Sequence, residues 1–320
     1  MAFFGFWAGL KNDMVIYTNC DIADKIYAMR NARGGGKTLI IKKSLTDFAP
    51  DDYEAIKGVF TRFNQTYGRF DPTHPPHTSA EYDYLMYLKS FFVCDYIYTN
   101  ADNVAKNFLW LDFGYNFNGY YYTDSTQFDF ELVPDSAIKA TLSQDKIHLF
   151  SLGAIDSRTM PHILIHGTEH FLIGNVMGGG GNAWIKFNAH LREALRVFLS
   201  FQIMDDDQKL YLWVARNHPQ DCAIYAVDGW FGALFYFIPA SMRESIKTKD
   251  RSILQCERLN VVDLTSEVYA PKFLIESAPT PQDKTYLQVL RNNFREIRTN
   301  TKALRRAIKR FFKAIFGRFE

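Results

Sequence analysis

Short apolar runs separated by longer amphipathic stretches set the plan of this chain. Residues 14–18, 38–42, 108–112, 128–133, 147–152, 162–165, 223–227 and 235–238 are apolar runs of strand length bounded by turn-forming or polar residues, which predicts buried strands. Between them, residues 21–33, 50–63, 81–98, 183–203 and 208–217 carry helical periodicity, and the chain after about residue 282 reads as mainly helical. Asp21 stands where a helix N-cap belongs, and Arg30 and Arg33 sit near that helix's end. Residues 115–130, rich in Tyr, Asn, Asp and Thr, read as a loop or lid, and residues 178–181 as a four-glycine turn. Strands alternating with helices predict an α/β fold with a mostly parallel central sheet flanked by helices. The pattern divides into a ligand-binding α/β domain over residues 1–240 and a helical C-terminal extension over residues 241–320. No internal repeat is present.

The 320 residues are 47% apolar and 16% aromatic, with 28 Phe and 18 Tyr. That load excludes a disordered chain. Net charge is +2, but residues 291–320 hold ten Lys/Arg against two Glu, so the remainder is net negative. Such an asymmetry points to a polyanionic partner for the tail. Over residues 302–320, Leu304, Ile308, Phe311, Phe312, Ile315, Phe316 and Phe319 recur at helical spacing among seven basic residues. This is the pattern of a helix lying in an anionic membrane surface rather than on nucleic acid. No apolar run approaches the ~20 residues a spanning helix needs, and the apolar residues 2–10 lack a basic leader, so they do not read as a signal peptide. Cys20, Cys94, Cys222 and Cys256 have neither zinc nor CxxC spacing, which fits a reduced, cytoplasmic setting.

Several segments invite a chemical reading. The apolar run ending in Trp110-Leu111-Asp112-Phe113-Gly114 places a carboxylate at a strand's carboxyl end, where open α/β sheets bind ligands. Asp205-Asp206-Asp207-Gln208 opens a helix with more acid than capping requires. Gly178 to Gly181 precede a helix, and a helix N-terminus behind glycines favours anions. Gly34-Gly35-Gly36-Lys37-Thr38 is not a phosphate loop: Asn31 replaces the first glycine, and the order is helix, loop, strand. His162, His166 and His170, spaced by four, form a weak metal pattern, and His170 beside Glu169 is a candidate for substrate contact.

The first strand and the Asp21 segment, Glu81-Tyr82 with Lys89, Trp110 to Gly114, the glycine run, Asp206-Asp207-Gln208 and Trp230-Phe231 occur in an order that resembles the HtrL/YibB family of bacterial proteins, found with genes for lipopolysaccharide and capsule synthesis. That family is similar to GT-A glycosyltransferases. The resemblance implies transfer of a sugar from a nucleotide-sugar to a lipid-linked lipopolysaccharide or capsular glycan, at the cytoplasmic face of the inner membrane. It implies Asp112, Asp21, Arg30, Lys89, Gly179, Gly180 and Trp230 as donor contacts, and Asp206, Asp207 and Gln208 at the reacting or acceptor end. In such folds an Asp-x-Asp pair holds the metal. Here Asp112 is followed by Gly114, and no His lies beyond His218, so Mn²⁺ or Mg²⁺ is expected only weakly, with bound nucleotide, through its phosphates. Two alternatives come from other classes: a non-catalytic membrane-surface protein assisting envelope polysaccharide assembly, and a metal hydrolase built on His162, His166 and His170.

Overall fold

The computed structural model describes residues 3–18, 20–69, 71–100, 106–119, 122–152, 155, 165, 172–227, 229–248 and 261–262. The chain divides into two units, Met1–Ala270 and Pro271–Glu320, and all described residues belong to the first. The basic segment 302–320, the histidines at 162, 166 and 170, and the strand expected at 162–165, apart from Ile165 in a turn, lie outside them.

The chain opens with strand β1 (Met14–Thr18), helix α1 (Ala23–Ala32) and strand β2 (Thr38–Lys42), and β1 and β2 pair in parallel. Helices α2 (Pro50–Arg62), α3 (Pro75–Thr78), α4 (Ala80–Tyr87) and α5 (Lys89–Thr99) follow, then strand β3 (Asn107–Leu111), helix α6 (Ser136–Leu142), strand β4 (Ile147–Ser151) and strand β5 (Leu172–Gly180). Helices α7 (Gly181–Ser200) and α8 (Asp207–Asn217), strand β6 (Cys222–Ala226), helix α9 (Ala240–Arg243) and strand β7 (Val261–Val262) complete the described elements. The five-stranded sheet has the order β3-β5-β4-β6-β7.

This is a mixed α/β fold, and its sheet is not mostly parallel. Within the five strands only β4 and β6 pair in parallel; β5 runs antiparallel to both β3 and β4, and β7 antiparallel to β6. Both faces of the sheet are buried. Along β6, Cys222 and Ile224 enter a core shared with α5, α7 and α8, while Ala223 and Tyr225 enter a second, aromatic core with Tyr115, Tyr122, Phe128 and Tyr236. Residues read as a lid therefore wedge into the interior: Tyr115 donates its hydroxyl to the Phe231 carbonyl, and Tyr122 is fully buried.

Several local expectations change. The glycines of 178–180 extend β5, and Gly181 begins α7, so no turn interrupts them. Residues 235–237 belong to a 3-10 helix, Gly232–Phe237, whose residues are all buried, so the run carries no period to tell helix from strand. Residues 128–133 keep a strand's alternation, with Phe128 and Leu132 buried and Asp129 and Glu131 exposed, yet form no strand: their backbone bonds go to Lys11, the Asn12 side chain and Phe237. The expected helix over 81–98 breaks at Leu88 into α4 and α5. Asp21 lies exposed in a 3-10 turn, and Ile22 occupies the N-cap of α1.

Arg30 explains the glycines at 34–36. It shares the buried face of α1 with Ala23 and Ile26. Its guanidinium donates to the carbonyls of Ala8, Leu10, Asn12 and Gly36 and to the Thr38 hydroxyl, at 2.7–3.2 Å. Gly34 has φ +62, and a side chain at Gly35 or Gly36 would collide with these carbonyls or with the guanidinium itself. Arg30 is thus committed to fastening the N-terminal turn to the β1–β2 layer, and the glycine run is the space it occupies. Arg30→Lys removes the planar fork and strands buried carbonyls, so urea unfolding is expected to show a loss of about 3 kcal/mol or more. A loss under about 0.5 kcal/mol, the range of an ordinary surface substitution, would contradict this role.

Candidate functional site

Strand β3 delivers Asp112 to the sheet's edge one residue past its end. The Asp112 amide continues the β3–β5 ladder by donating to the Asn175 carbonyl at 2.9 Å. The Asp112 side chain accepts from Trp110 Nε1 at 2.6 Å and remains 29% exposed. Facing it is Lys89, the first residue of α5, placed there by the break at Leu88. Lys89 Nζ lies 3.2 Å from each Asp112 oxygen, 2.8 Å from Asp207 Oδ2 and 2.9 Å from the Gly174 carbonyl of β5. Three partners match the three N–H donors of an ammonium. Burial alone would depress Lys89, but Asp112 and Asp207 outweigh it and hold its pKa above the ordinary lysine range. Burial raises Asp112 despite Lys89. Gly174 must lack a side chain, since a Cβ there would run into the Asp207 carboxylate.

The acidic run divides its labour. Asp206 is the N-cap of α8 and accepts from the Gln208 amide at 3.2 Å and from Gln208 Nε2 at 2.8 Å. Asp207 begins the helix and lies against Tyr211 as well as Lys89; burial and Asp207 push the Tyr211 hydroxyl well above its ordinary range. Asp205 points to the other side. It pairs with Arg69, which also donates to the carbonyls of Met204 and Ile165, and lies 3.6 Å from His77 Nε2. Burial opposes its charge, yet His77, Lys209 and Arg69 hold Asp205 below the ordinary carboxylate range. Asp83 of α4 is fully buried, neither of its oxygens has a hydrogen-bond partner, and burial beside Asp205 and Asp206 drives its pKa well up. Burial and Asp205 likewise push Asp206 up to about 8.

Of the residues singled out from sequence, Asp112, Lys89, Asp206, Asp207 and Gln208 come together. Trp230 joins through its carbonyl, which accepts from Asn175 Nδ2 at 2.8 Å. Gly179 and Gly180 do not join: they lie five and six residues along β5 from Gly174, about 16–20 Å at strand rise. There Gly180 borders a separate open cavity of about 400 Å³ with Asn107, Lys139 and Asp145. Arg30 is held by its carbonyls. Arg69, Asp83, His77 and Tyr211 were not singled out. Asp83 alone left a trace, a carboxylate on the same helical face as Ala80, Tyr84 and Tyr87.

The acids around Asp112 are not a cage for a divalent cation. An ammonium already contacts both Asp112 oxygens, an indole N–H takes one of them, and Gly114 supplies no second carboxylate.

A raised carboxyl favours folding at low pH. For Asp206 that contribution is full below the unfolded value near 3.8 and is lost as pH climbs through about 8. Thermal melts are therefore expected to show a falling Tm between pH 6 and 9. Asp206→Asn keeps a good N-cap and imitates the neutral acid, and the unpartnered Gln208 Oε1 can accept from its amide once Gln208 turns over. This variant should melt above the wild type at pH 9 and show a shallower slope, the remainder belonging to Asp83, whose carboxyl is also raised. A variant that melts lower at every pH would show that Asp206 is needed charged.

No helix among the described residues is long and apolar enough to cross a membrane. No solved structure matches the chain. It is 25% identical over 219 residues to Protein HtrL of Escherichia coli strain K12, an alignment covering 66% of this chain and 71% of that protein. The model of a family described as a bacterial protein of unknown function, HtrL_YibB, matches residues 1–239, three quarters of the sequence and all of the Lys89 cluster. The chain belongs to the HtrL/YibB family.

Proposed function

We propose that this protein is a glycosyltransferase that binds a nucleotide-sugar at Asp112 and moves the sugar to a hydroxyl of an envelope glycan. The observation that carries this reading is the partly exposed Asp112 carboxylate, fixed by Lys89 and Trp110 and flanked by the 36%-exposed Phe113 ring. A carboxylate accepts hydrogen bonds only, so it suits the hydroxyls of a ribose or a hexose. An aromatic face beside it suits a base or the apolar side of a sugar ring. Phe113 is itself held by stacking on Phe4, centroids 4.6 Å apart.

In the reaction the acceptor oxygen bonds to the anomeric carbon, the bond from that carbon to the diphosphate oxygen breaks, and the acceptor proton passes to a carboxylate. Asp207 is the candidate base, one helical residue beyond Asp206 and adjoining Lys89. The leaving diphosphate needs positive charge, and Lys89 is the ammonium nearest Asp112. A divalent cation has no preformed carboxylate cage here, so Mn²⁺ or Mg²⁺ belongs to the nucleotide's phosphates and not to the empty protein. The basic segment 302–320, with Lys302, Arg305, Arg306, Lys309, Arg310, Lys313 and Arg318, would hold the enzyme at an anionic surface where a lipid-linked acceptor lies.

One observation favours the non-catalytic reading, in which the same site binds a glycan without transferring it. The Asp207 side chain is 3% exposed and ion-paired, as a structural carboxylate would be. Mutation separates the two. A panel of nucleotide-sugars is expected to contain one that raises the Tm, while Mg²⁺ alone does not. Asp112→Asn should weaken that ligand at least about tenfold, the size of a charged hydrogen bond. Asp207→Asn should keep the ligand and lower turnover by about 100-fold or more. A panel in which no nucleotide or nucleotide-sugar shifts the Tm, with or without Mn²⁺, would remove the transferase reading.

A further inference from the structure

Two imidazoles and two carboxylates converge away from the Lys89 cluster, where α7 meets the connection from α8 to β6. His190 and Glu193 stand one turn apart on α7. His218 is the C-cap of α8, and Pro219 starts the 3-10 turn Pro219–Asp221 that returns Asp221 toward α7. His190 Nε2 is 3.0 Å from Asp221 Oδ2, and His218 Nε2 is 3.2 Å from Glu193 Oε2. The two rings lie nearly parallel, 12° apart, with centroids separated by 3.6 Å. One ligand atom from each of His190, His218 and Asp221 can be chosen so that all lie within 4.8 Å of one another, and among the described residues no other group of three does so.

We propose that His190, His218 and Asp221 bind a divalent transition-metal ion of the zinc class. Two imidazoles with a carboxylate are a borderline donor set that suits zinc, cobalt or nickel and not magnesium or calcium, which prefer all-oxygen shells. Zinc–nitrogen bonds of ~2.0–2.1 Å in a tetrahedron put ligand nitrogens about 3.3 Å apart, within the 4.8 Å that bounds the ligand atoms here. An imidazole lone pair lies in its ring plane, so coordination requires the two rings to open out of their parallel stack and to exchange their carboxylate hydrogen bonds for the ion. The three ligand side chains are 20–22% exposed, so an ion can reach them. Glu193 is 51% exposed and free to swing in as a fourth ligand. The bound ion would cross-link the middle of α7 to the start of β6 and stabilise the helix layer behind the sheet. This site shares no residue with the Asp112 region, so it stands or falls apart from the transferase reading.

The test uses full-length, tag-free protein stripped with a chelator. Zn²⁺ titrated by calorimetry is expected to bind at one equivalent per chain and to raise the Tm. Co²⁺ should give visible d–d bands of tetrahedral intensity, and excess Mg²⁺ should not displace either ion. His190→Gln and His218→Gln should each weaken Zn²⁺ by more than about tenfold, since even residues that only support a ligand contribute that much. Both positions are partly exposed, so their metal-free melting should match the parent, which shows that the fold is intact. Asp221→Asn provides a second, milder variant, and Asp112→Asn should bind zinc like the parent. Absence of zinc binding, or binding that survives unchanged in both histidine variants, overturns the proposal; the second outcome would assign the metal to other residues of the chain.

Discussion

One buried ammonium ties this fold together. Lys89 is 4% exposed and has no bulk water to hydrate it, so its charge is met by Asp112, Asp207 and the Gly174 carbonyl. Through that atom the start of α5, the end of β3, the interior of β5 and the first turn of α8 are fixed to one another. A buried charge that keeps its partners is tolerated, whereas one that loses a partner destabilises strongly, by about 3–5 kcal/mol. The cluster therefore constrains its neighbours. Gly174 must stay small, Leu88 must break the helix to point Lys89 inward, and Asp206 must cap α8 so that Asp207 enters at the right angle. Adjoining acids without a salt-bridge partner among the described residues, Asp83 and Asp206, respond by raised pKa values; Asp206 keeps its hydrogen bonds from Gln208, and Asp83 has none.

Much of this was legible in the sequence, for identifiable reasons. Strands β1, β2, β3, β4 and β6 announce themselves as short apolar runs, and α2, α7 and α8 by their period, with ends within a few residues of those expected. Sheet direction was not legible, because pairing depends on contacts far apart in sequence. Nothing in residues 172–180 says that β5 enters between β3 and β4 antiparallel to both. The glycines at 178–180 read as a turn because glycine has no side chain to show a burial pattern; pairing with β3, and at Gly178 with β4 as well, makes them a strand. Residues 235–238 are apolar on every side, which suits a strand and a 3-10 helix equally.

The candidate site was half visible. Asp112 and the 205–208 run stand out because acid after or before an apolar element is chemically conspicuous, and Lys89 entered through family resemblance. Asp83, Arg69 and His77 were hidden because each is a single polar residue within ordinary helical or loop sequence. Arg30 entered as a donor contact through the family resemblance; in the structure it shares a face with Ala23 and Ile26 and spends its donors on four backbone carbonyls and the Thr38 hydroxyl. Family membership reaches across residues 1–239, so the whole Lys89 arrangement falls within the matched region. The mixed sheet sets this fold apart from the mostly parallel one that the alternation of strands and helices predicts.

The account rests on Lys89 and the carboxylates being energetically one unit, and a double-mutant cycle measures that directly. Urea unfolding of the parent, Lys89→Met, Asp207→Asn and the double variant gives the coupling. We expect Lys89→Met alone to cost about 3–5 kcal/mol. The double variant should be less destabilised than the sum of the two singles by about 2 kcal/mol or more, because neutralising Asp207 relieves a carboxylate left without its ammonium. Free energies that add to within about 0.5 kcal/mol, the behaviour of independent positions, would show that Lys89 and Asp207 are neighbours without being partners, and would contradict the account.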